Sequence, residues 1–198
     1  MAPDRRTLLA DAALGVLADE GMRGLTHRAV DRAAALPPGT TSAYFRTRAA
    51  LLTALVTRLV HLDQSELRAA AERLPPLRTA DDLVDALARL SRRRLTGEGR
   101  RRSLARYACT IESVRAPELR EILVPRENAA RDTVRRFLAR HGVPDVESRT
   151  RTLLICVDGL VLDRLVHGGR VPREVLEDLV AGALRTGPKP SSVPPGTV

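Results

Sequence analysis

Apolar residues recur at helical spacing along most of this chain, and this periodicity is the strongest constraint on its fold. Residues three and four positions apart lie on one side of an α-helix, so such stripes indicate helices that bury one face. Runs that alternate β-branched or aromatic residues with polar ones, which would predict strands, are missing, and aromatic residues make up only 2% of the chain. We therefore expect an all-α fold with a core of Leu, Val and Ala. Two clear stripes fall within residues 5–20 and 47–73: Leu8, Leu9, Ala12, Ala13, Val16 and Leu17, then Leu51, Leu52, Leu55, Val56, Leu59 and Leu62.

Glycine and proline residues punctuate these stripes and predict where the helices end. The expected helices cover residues 5–20, 26–34, 38–44, 47–73, from 79 or 81 to about 97, 101–114, 117–141, 146–167 and 173–185. Pro38 is expected at the first helical position of its short helix, where a missing N–H costs nothing. The last residues, 187–198, are rich in Pro, Ser and Gly and are expected to be disordered.

The segment from Gly24 to Leu52, GLTHRAVDRAAALPPGTTSAYFRTRAALL, has the plan of a helix-turn-helix. Two short helices are joined by a tight turn, with one helix before them and a long helix after them. Thr26 is expected to cap the first short helix. The second is expected to lie in the DNA major groove, where the hydroxyls of Thr40, Thr41 and Ser42 can bond to base edges or phosphates.

Positive charge surrounds this segment. Residues 22–48 hold five Arg and one Asp, and the whole chain has a formal net charge of +9. Phosphate contacts by such residues supply affinity and register on DNA, although an arginine-rich genome would also give a basic chain. Phe45 is expected in the core. The candidate DNA-binding residues are Thr26, His27, Arg28, Pro38, Gly39, Thr40, Thr41, Ser42, Tyr44, Arg46 and Arg48.

Residues 5–60 resemble the DNA-binding domain of the TetR (tetracycline-repressor) family of transcriptional regulators. The resemblance rests on Gly24-Leu25-Thr26, on Gly39-Thr40 at the start of the recognition helix, on Phe45, on Arg48 in place of the usual Lys, and on Leu51. Two positions depart from the family pattern: Ser42 stands where Tyr is usual, and Leu36-Pro37-Pro38 replaces a common Gly-Val-Ser.

The resemblance implies two functional regions ahead of the tail. Residues 1–47 would form a three-helix DNA-binding domain, residues 48–186 a helical ligand-binding and dimerisation domain, and residues 187–198 the tail. It implies a homodimeric repressor that binds double-stranded DNA at a palindromic operator and is released by a small-molecule effector, whose identity the sequence does not give. It also implies dimerisation through the last two long helices. The sequence of the first of these helices agrees, because Leu153–Val166 is apolar on nearly all sides and needs a covering partner.

We call the DNA-binding domain, residues 1–47, the reader. Polar residues between the reader and the last two long helices are the candidates for a ligand pocket: Tyr107, Thr110, Glu112, Asn128 and Asp158. A second basic cluster, with eight Arg between residues 89 and 106, is compatible with a wider DNA-facing surface or with a solvated face and loop.

Other classes of function find little support in the sequence. A helical enzyme would need a Ser/His/Asp set, a Gly-rich phosphate loop or paired carboxylates, and none is recognisable. No metal or cofactor is expected, because Cys109 and Cys156 stand in separate apolar helices as buried thiols. Neither a signal peptide nor a membrane span is recognisable, so we expect a cytoplasmic protein. A helical binding protein without a DNA role stays as an alternative, and DNA binding would decide it.

Overall fold

A computed structural model describes residues 4–73, 76–123 and 128–185 of the chain. Within these ranges it has ten α-helices and no β-strand, which confirms the all-α prediction. The expected disorder of residues 187–198 lies outside the described residues. The helices are α1 (Arg5–Gly24), α2 (His27–Ala33), α3 (Thr40–Tyr44), α4 (Arg48–Arg73), α5 (Ala80–Leu95), α6 (Gly97–Glu112), α7 (Pro117–Leu123), α8 (Ala129–Arg140), α9 (Val146–His167) and α10 (Arg173–Leu184).

Side-chain caps fix the starts of several helices. The Thr26 hydroxyl accepts from the Ala29 amide at 3.1 Å, which confirms it as the cap of α2. Thr79 and Asp82 form a capping box at the start of α5, where the Thr79 hydroxyl accepts from the Asp82 amide and the Asp82 carboxylate accepts from the Thr79 amide. None of the described helices is long and apolar enough to span a bilayer.

Several helix boundaries differ from the sequence-based expectation. Helix α1 extends to Gly24, with a break in its helical backbone at Gly21 (φ 71°), directly after the expected end. Helix α3 begins at Thr40 and not at Pro38, because Gly39 adopts a left-handed conformation (φ 91°) and leaves Pro38 in the preceding turn. The expected helix over residues 117–141 is two helices, and Asn128 caps the second by accepting from two backbone amides. Residues 97–99 open α6 where we expected them to end α5, because the extended backbone of Thr96 separates the two helices.

The buried apolar residues form two clusters. The first unites the reader helices with α4, α6 and α7 and contains Leu9, Leu17, Leu25, Val30, Phe45, Leu51, Leu55, Leu59, Ala105, Cys109 and Leu119. The second lies between α5, α8, α9 and α10 and contains Leu83, Leu87, Val134, Phe137, Leu138, Leu153, Val157, Leu176 and Val180. Helices α4 and α6 therefore belong to the packing unit that carries the helix-turn-helix, although they follow it in sequence.

The arginines between residues 89 and 106 mostly join helices to one another. Arg101 pairs with Asp19 of α1 at 2.5 Å, and Arg102 and Arg106 pair with Asp63 of α4. Arg93 and Arg94 of α5 pair with Glu66 and Asp158. Five of the eight arginines thus form ion pairs between helices. The cluster is therefore neither mainly a DNA-facing surface nor a purely solvated face.

The two cysteines differ in exposure. Cys109 is fully buried in the first cluster, and burial raises the pKa of its thiol to about 12, so the thiol stays protonated at neutral pH. Cys156, on α9, is only half-buried, and both cysteines are unpaired. The expectation of two buried thiols is thus confirmed for Cys109 alone.

The turn that ends α2 has an unusual backbone. Ala35 has a φ of +52°, in the left-handed region that a Cβ atom disfavours. Its amide donates to the Arg32 carbonyl at 3.1 Å, and the Leu36 amide donates to the Asp31 carbonyl at 2.9 Å. These two bonds close the helix end in the way that usually selects glycine.

We expect Ala35→Gly to raise the free energy of unfolding by about 0.5–1 kcal/mol, because relief of the left-handed strain exceeds the entropy that glycine loses on folding. Urea unfolding monitored by circular dichroism measures the change. Ala50→Gly is the matched control in an ordinary helical position of α4 and should lower the free energy of unfolding. Equal losses in both variants would contradict the assignment of strain to Ala35.

Candidate DNA-binding surface and ligand cavity

Helix α3 has only five residues, so its position depends on tertiary contacts and not on its own helical stability. Thr41 is fully buried, and Phe45, the residue that follows the helix, is 4% exposed within the first apolar cluster. The guanidinium of Arg6, on α1, lies 5.3 Å from the centre of the Phe45 ring. The predicted core role of Phe45 is confirmed.

A buried carboxylate joins α2 to α3. Asp31 is 3% exposed, and its carboxylate accepts from the amides of Gly39 (2.8 Å) and Thr41 (2.7 Å) and from the Thr41 hydroxyl (2.5 Å). The first amides of a helix have no partner within the helix, and a carboxylate at this end also complements the helix dipole. Asp31 therefore caps α3 from the neighbouring helix.

The hydrogen bonds keep Asp31 ionised. Burial alone would raise the pKa of this carboxyl, but the bonds from the Thr41 hydroxyl, the Thr41 amide and the Gly39 amide outweigh burial and lower the pKa below its usual value. His27 adds a smaller lowering effect. The cap is thus a charged group at neutral pH.

Two further polar side chains bond to backbone carbonyls near α3. The His27 ring, through Nε2–H, donates to the Phe45 carbonyl at 2.7 Å. Arg48 donates to the carbonyls of Leu25 and Met22, the latter at 2.5 Å, and so ties the start of α4 to the end of α1. His27 therefore holds the end of α3, and Arg48 holds the start of the helix that follows it.

The remaining candidates divide by whether their side chains bond to the local backbone. Thr26 and Thr40 bond to the local backbone, Thr26 as the cap of α2 and Thr40 by donating to the Pro37 carbonyl at 2.7 Å. An outward-facing set lies on α2, on α3 and in the loops that flank them: Arg28, Pro38, Gly39, Ser42, Tyr44 and Arg46. Contrary to the sequence-based expectation, the side chain of Thr41 faces inward, because its hydroxyl bonds to the buried Asp31.

A cavity of about 330 Å³ lies between α4, α5, α8 and α9. Its volume is within the range of small-molecule sites. Its walls are mostly apolar, with Leu67, Leu83, Leu87, Leu90, Val134 and Phe137 among them. Arginines supply its charge.

None of the five predicted ligand residues lines this cavity. The structure brings two of them together elsewhere: the Tyr107 hydroxyl donates to the Asp158 side chain at 3.1 Å and lies 2.9 Å from its carbonyl, and Arg94 pairs with the same carboxylate at 2.8 Å. Burial raises the pKa of Tyr107 well above its usual value, so the phenol stays neutral. Asp158, a half-exposed acid on the apolar helix α9, thus pairs with an arginine of α5.

The other three predicted ligand residues lie apart from one another. Thr110 is exposed, and its hydroxyl donates to the Arg106 carbonyl at 2.9 Å. Glu112 is half-buried at the end of α6, and Asn128 caps α8. The described residues include no group of three or more His, Cys, Asp or Glu side chains placed to hold a metal ion.

The sequence analysis did not predict a functional role for Asp31, although the charge pattern around it gave a signal. It is the only acid among five arginines in residues 22–48, so its charge works against DNA unless it has another role.

We expect Asp31→Asn to lower the free energy of unfolding at pH 7 by about 1–3 kcal/mol, because an amide cannot accept from all three donors. Because the folded-state pKa is lowered, the contribution of Asp31 is present above its unfolded pKa of about 4 and is lost as pH falls through the folded value. Urea unfolding at pH 7 and below pH 4 measures this. Asp178→Asn, at an exposed position, is the control, and a difference that does not shrink at low pH would contradict the account.

Comparison with known proteins identifies the relatives of this chain. A family model described as Tetracyclin repressor-like, C-terminal domain, matches residues 78–186, more than half of the chain. The sequence has no match among the curated proteins.

Solved structures share the fold over nearly the whole chain. A transcriptional regulator from Rhodococcus sp. Rha1 is 25% identical with a TM-score of 0.71, and the match covers 91% of this chain and 94% of that one. The multidrug binding protein EbrR, in complex with ethidium, is 25% identical with a TM-score of 0.68 over 92% and 100%. A TetR family member from Streptomyces coelicolor A3 is 24% identical with a TM-score of 0.70 over 93% and 100%, and it supports the fold alone. With its helix-turn-helix and its regulatory-domain match, the chain belongs to the TetR family of DNA-binding transcriptional regulators.

Proposed function

We propose that this protein is a cytoplasmic homodimeric repressor that binds a palindromic DNA operator and is released from it by a small molecule. The observation that carries the proposal is the recognition helix α3, which buried residues hold so that small and basic side chains face outward. Residues 1–47 are the reader and residues 48–186 the regulatory and dimerisation region in this proposal. We assign the protein no catalytic role.

The outward-facing set divides into two kinds of DNA contact. Arg28, Tyr44 and Arg46 suit the phosphates, because their long side chains end in hydrogen-bond donors. Ser42 and the turn at Pro38-Gly39 are small, which allows the backbone of α3 to approach the base edges closely. His27, Asp31 and Thr41 act on DNA only by fixing the orientation of α3, and Arg48 acts by fixing the start of α4 against the end of α1.

An exposed apolar stripe on α9 supports dimerisation. Ile155 is 61% exposed, Leu162 43% and Val166 70%. With Gly159 they are spaced four, three and four residues apart, which puts them on one face of the helix. Contiguous exposed apolar residues of this size are typical of protein–protein contacts. A second copy of the chain, related by a twofold axis, would cover this face and set two readers one DNA turn apart.

The cavity of about 330 Å³ supports regulation by a small molecule. A ligand that binds the DNA-free arrangement better than the DNA-bound one releases the operator, and DNA weakens ligand binding by the same factor. Structures of the related EbrR were solved with ethidium, proflavin, malachite green and imidazole. They support the same mode of control in this protein, without giving its ligand.

We expect the full chain to shift DNA from the intergenic region beside its own gene, with an affinity that falls steeply as salt rises. Arg28→Gln should weaken binding about tenfold and reduce the salt dependence by about one phosphate per subunit. Electrophoretic mobility shifts across a salt series measure both quantities. Arg135→Gln, an exposed residue of the distant helix α8, should leave them unchanged; no shift with any neighbouring intergenic DNA at low salt would contradict DNA binding at that site.

We expect the double variant Ile155→Glu with Val166→Glu to be a folded monomer, because four carboxylates would face one another in the dimer. Sedimentation equilibrium measures the mass, and circular dichroism checks folding. Ile111→Glu is the matched control, since Ile111 is 66% exposed but lies on α6. A dimeric double variant would show that another face joins the subunits.

A further inference from the structure

The charged side chains that line the cavity are all arginines. Arg93 enters it from α5, and Arg136 and Arg140 enter it from α8. Thr133 is the other polar side chain, and among the described residues no Asp or Glu lines the cavity. The cavity thus combines apolar walls with charged side chains that are all positive.

The arginines on α8 are free to take a ligand. Arg136 and Arg140 stand one helical turn apart, which places them on the same face of α8. The Nε of Arg136 donates to the Asp132 carbonyl at 3.2 Å, and its two terminal nitrogens have no partner in the described part of the chain. Within the same ranges Arg140 has neither an ion pair nor a side-chain hydrogen bond. Two guanidinium groups are therefore available at the cavity.

Arg93 is shared between the cavity and the reader unit. Its Nε lies 3.3 Å from a carboxylate oxygen of Glu66 on α4, and the same glutamate also accepts from Arg102 of α6. The side chains of Arg93 and Glu66 are about one-third exposed, so this pair can open without leaving a fully buried charge. Because Glu66 keeps Arg102, a ligand anion can compete for Arg93.

Electrostatics decide which ligands suit such a site. A cation would lose its hydration and meet three positive charges, whereas a carboxylate would exchange water for charge-assisted and bidentate hydrogen bonds. The apolar walls favour a ligand whose remaining surface is hydrocarbon. A neutral apolar molecule would fill the walls but leave the guanidinium groups unused.

We propose that the cavity binds a carboxylate that carries a hydrocarbon chain. The chain lies among the leucines and Phe137, and the carboxylate binds Arg140, Arg136 and Arg93. The inference rests on the proposed control by a small molecule and names the ligand class for that site. When the carboxylate takes Arg93 from Glu66, it removes one of the contacts between α5 and α4. Helix α4 follows the recognition helix directly, so ligand binding acts on the element that carries the reader.

Three probes with the same hydrocarbon chain test the ligand class: decanoate, decanol and decyltrimethylammonium. Isothermal titration calorimetry on the full-length protein, without DNA and below the micelle concentration of each probe, measures their affinities. The expected order is decanoate first, decanol weaker by about tenfold or more, and the cation weakest. Equal or tighter binding of the cation, or no binding of decanoate, would overturn the proposal.

Two variants test the residues. Arg140→Gln should weaken decanoate about tenfold and leave decanol unchanged, and it disturbs no described contact. Arg93→Gln should have the same effect, although it also removes the pair with Glu66. Arg135→Gln is the matched control on α8, because it removes a similar charge outside the cavity. Equal losses of decanoate affinity in Arg140→Gln and Arg135→Gln would show that only the overall charge of the protein matters, and would overturn the proposed site.

Glu66→Gln should raise the decanoate affinity, whereas the arginine variants lower it. Because it frees Arg93 from its competing carboxylate, decanoate should bind several-fold tighter, and decanol should be unaffected. An unchanged decanoate affinity would overturn the role of Arg93. Mobility shifts with and without decanoate then test release from DNA, which decides the proposed function separately from the ligand class.

Discussion

A buried carboxylate holds the helix that faces DNA. Helix α3 is too short to persist alone, and Asp31 satisfies the two backbone amides at its start while also binding the Thr41 hydroxyl. Such a charge is costly to bury unless donors surround it, so the cap and the position of α3 depend on each other. The outward direction of Ser42, Tyr44 and Arg46 follows from this one arrangement.

The packing then explains how a distant cavity can influence the reader. Helices α4 and α6 share the apolar cluster of the helix-turn-helix, and arginines of α5 and α6 reach the acids of α1 and α4. The cavity lies where α4 meets α5, α8 and α9. In the proposed mechanism, a ligand there would contact α4, which belongs to the packing unit of the helix-turn-helix, together with residues of the second cluster. It would act on the helix-turn-helix through packed helices and not through a flexible linker.

The sequence predicted what depends on local spacing. Helix α9 spans the expected residues 146–167, and Thr26 caps α2. The apolar stripe of α4 is buried as expected except for the partly buried Leu62, because periodicity and caps are properties of neighbouring residues. The inward direction of Thr41 and the roles of His27 and Arg48 depend on how α3 is rotated against α2 and α4, which spacing does not encode. The residues that line the cavity were missed for the same reason, since its arginines come from α5 and α8, more than forty residues apart in sequence.

In the proposed function, two copies of α3, held by their subunits' own Asp31 caps, bind one palindromic site. A hydroxyl-radical footprint of the full-length protein on the intergenic DNA beside its gene tests this arrangement. We expect two symmetric protected segments whose centres lie one helical turn apart, roughly 34–36 Å, or a multiple of that spacing. A single unpaired protected segment, or protection without twofold symmetry, would contradict it.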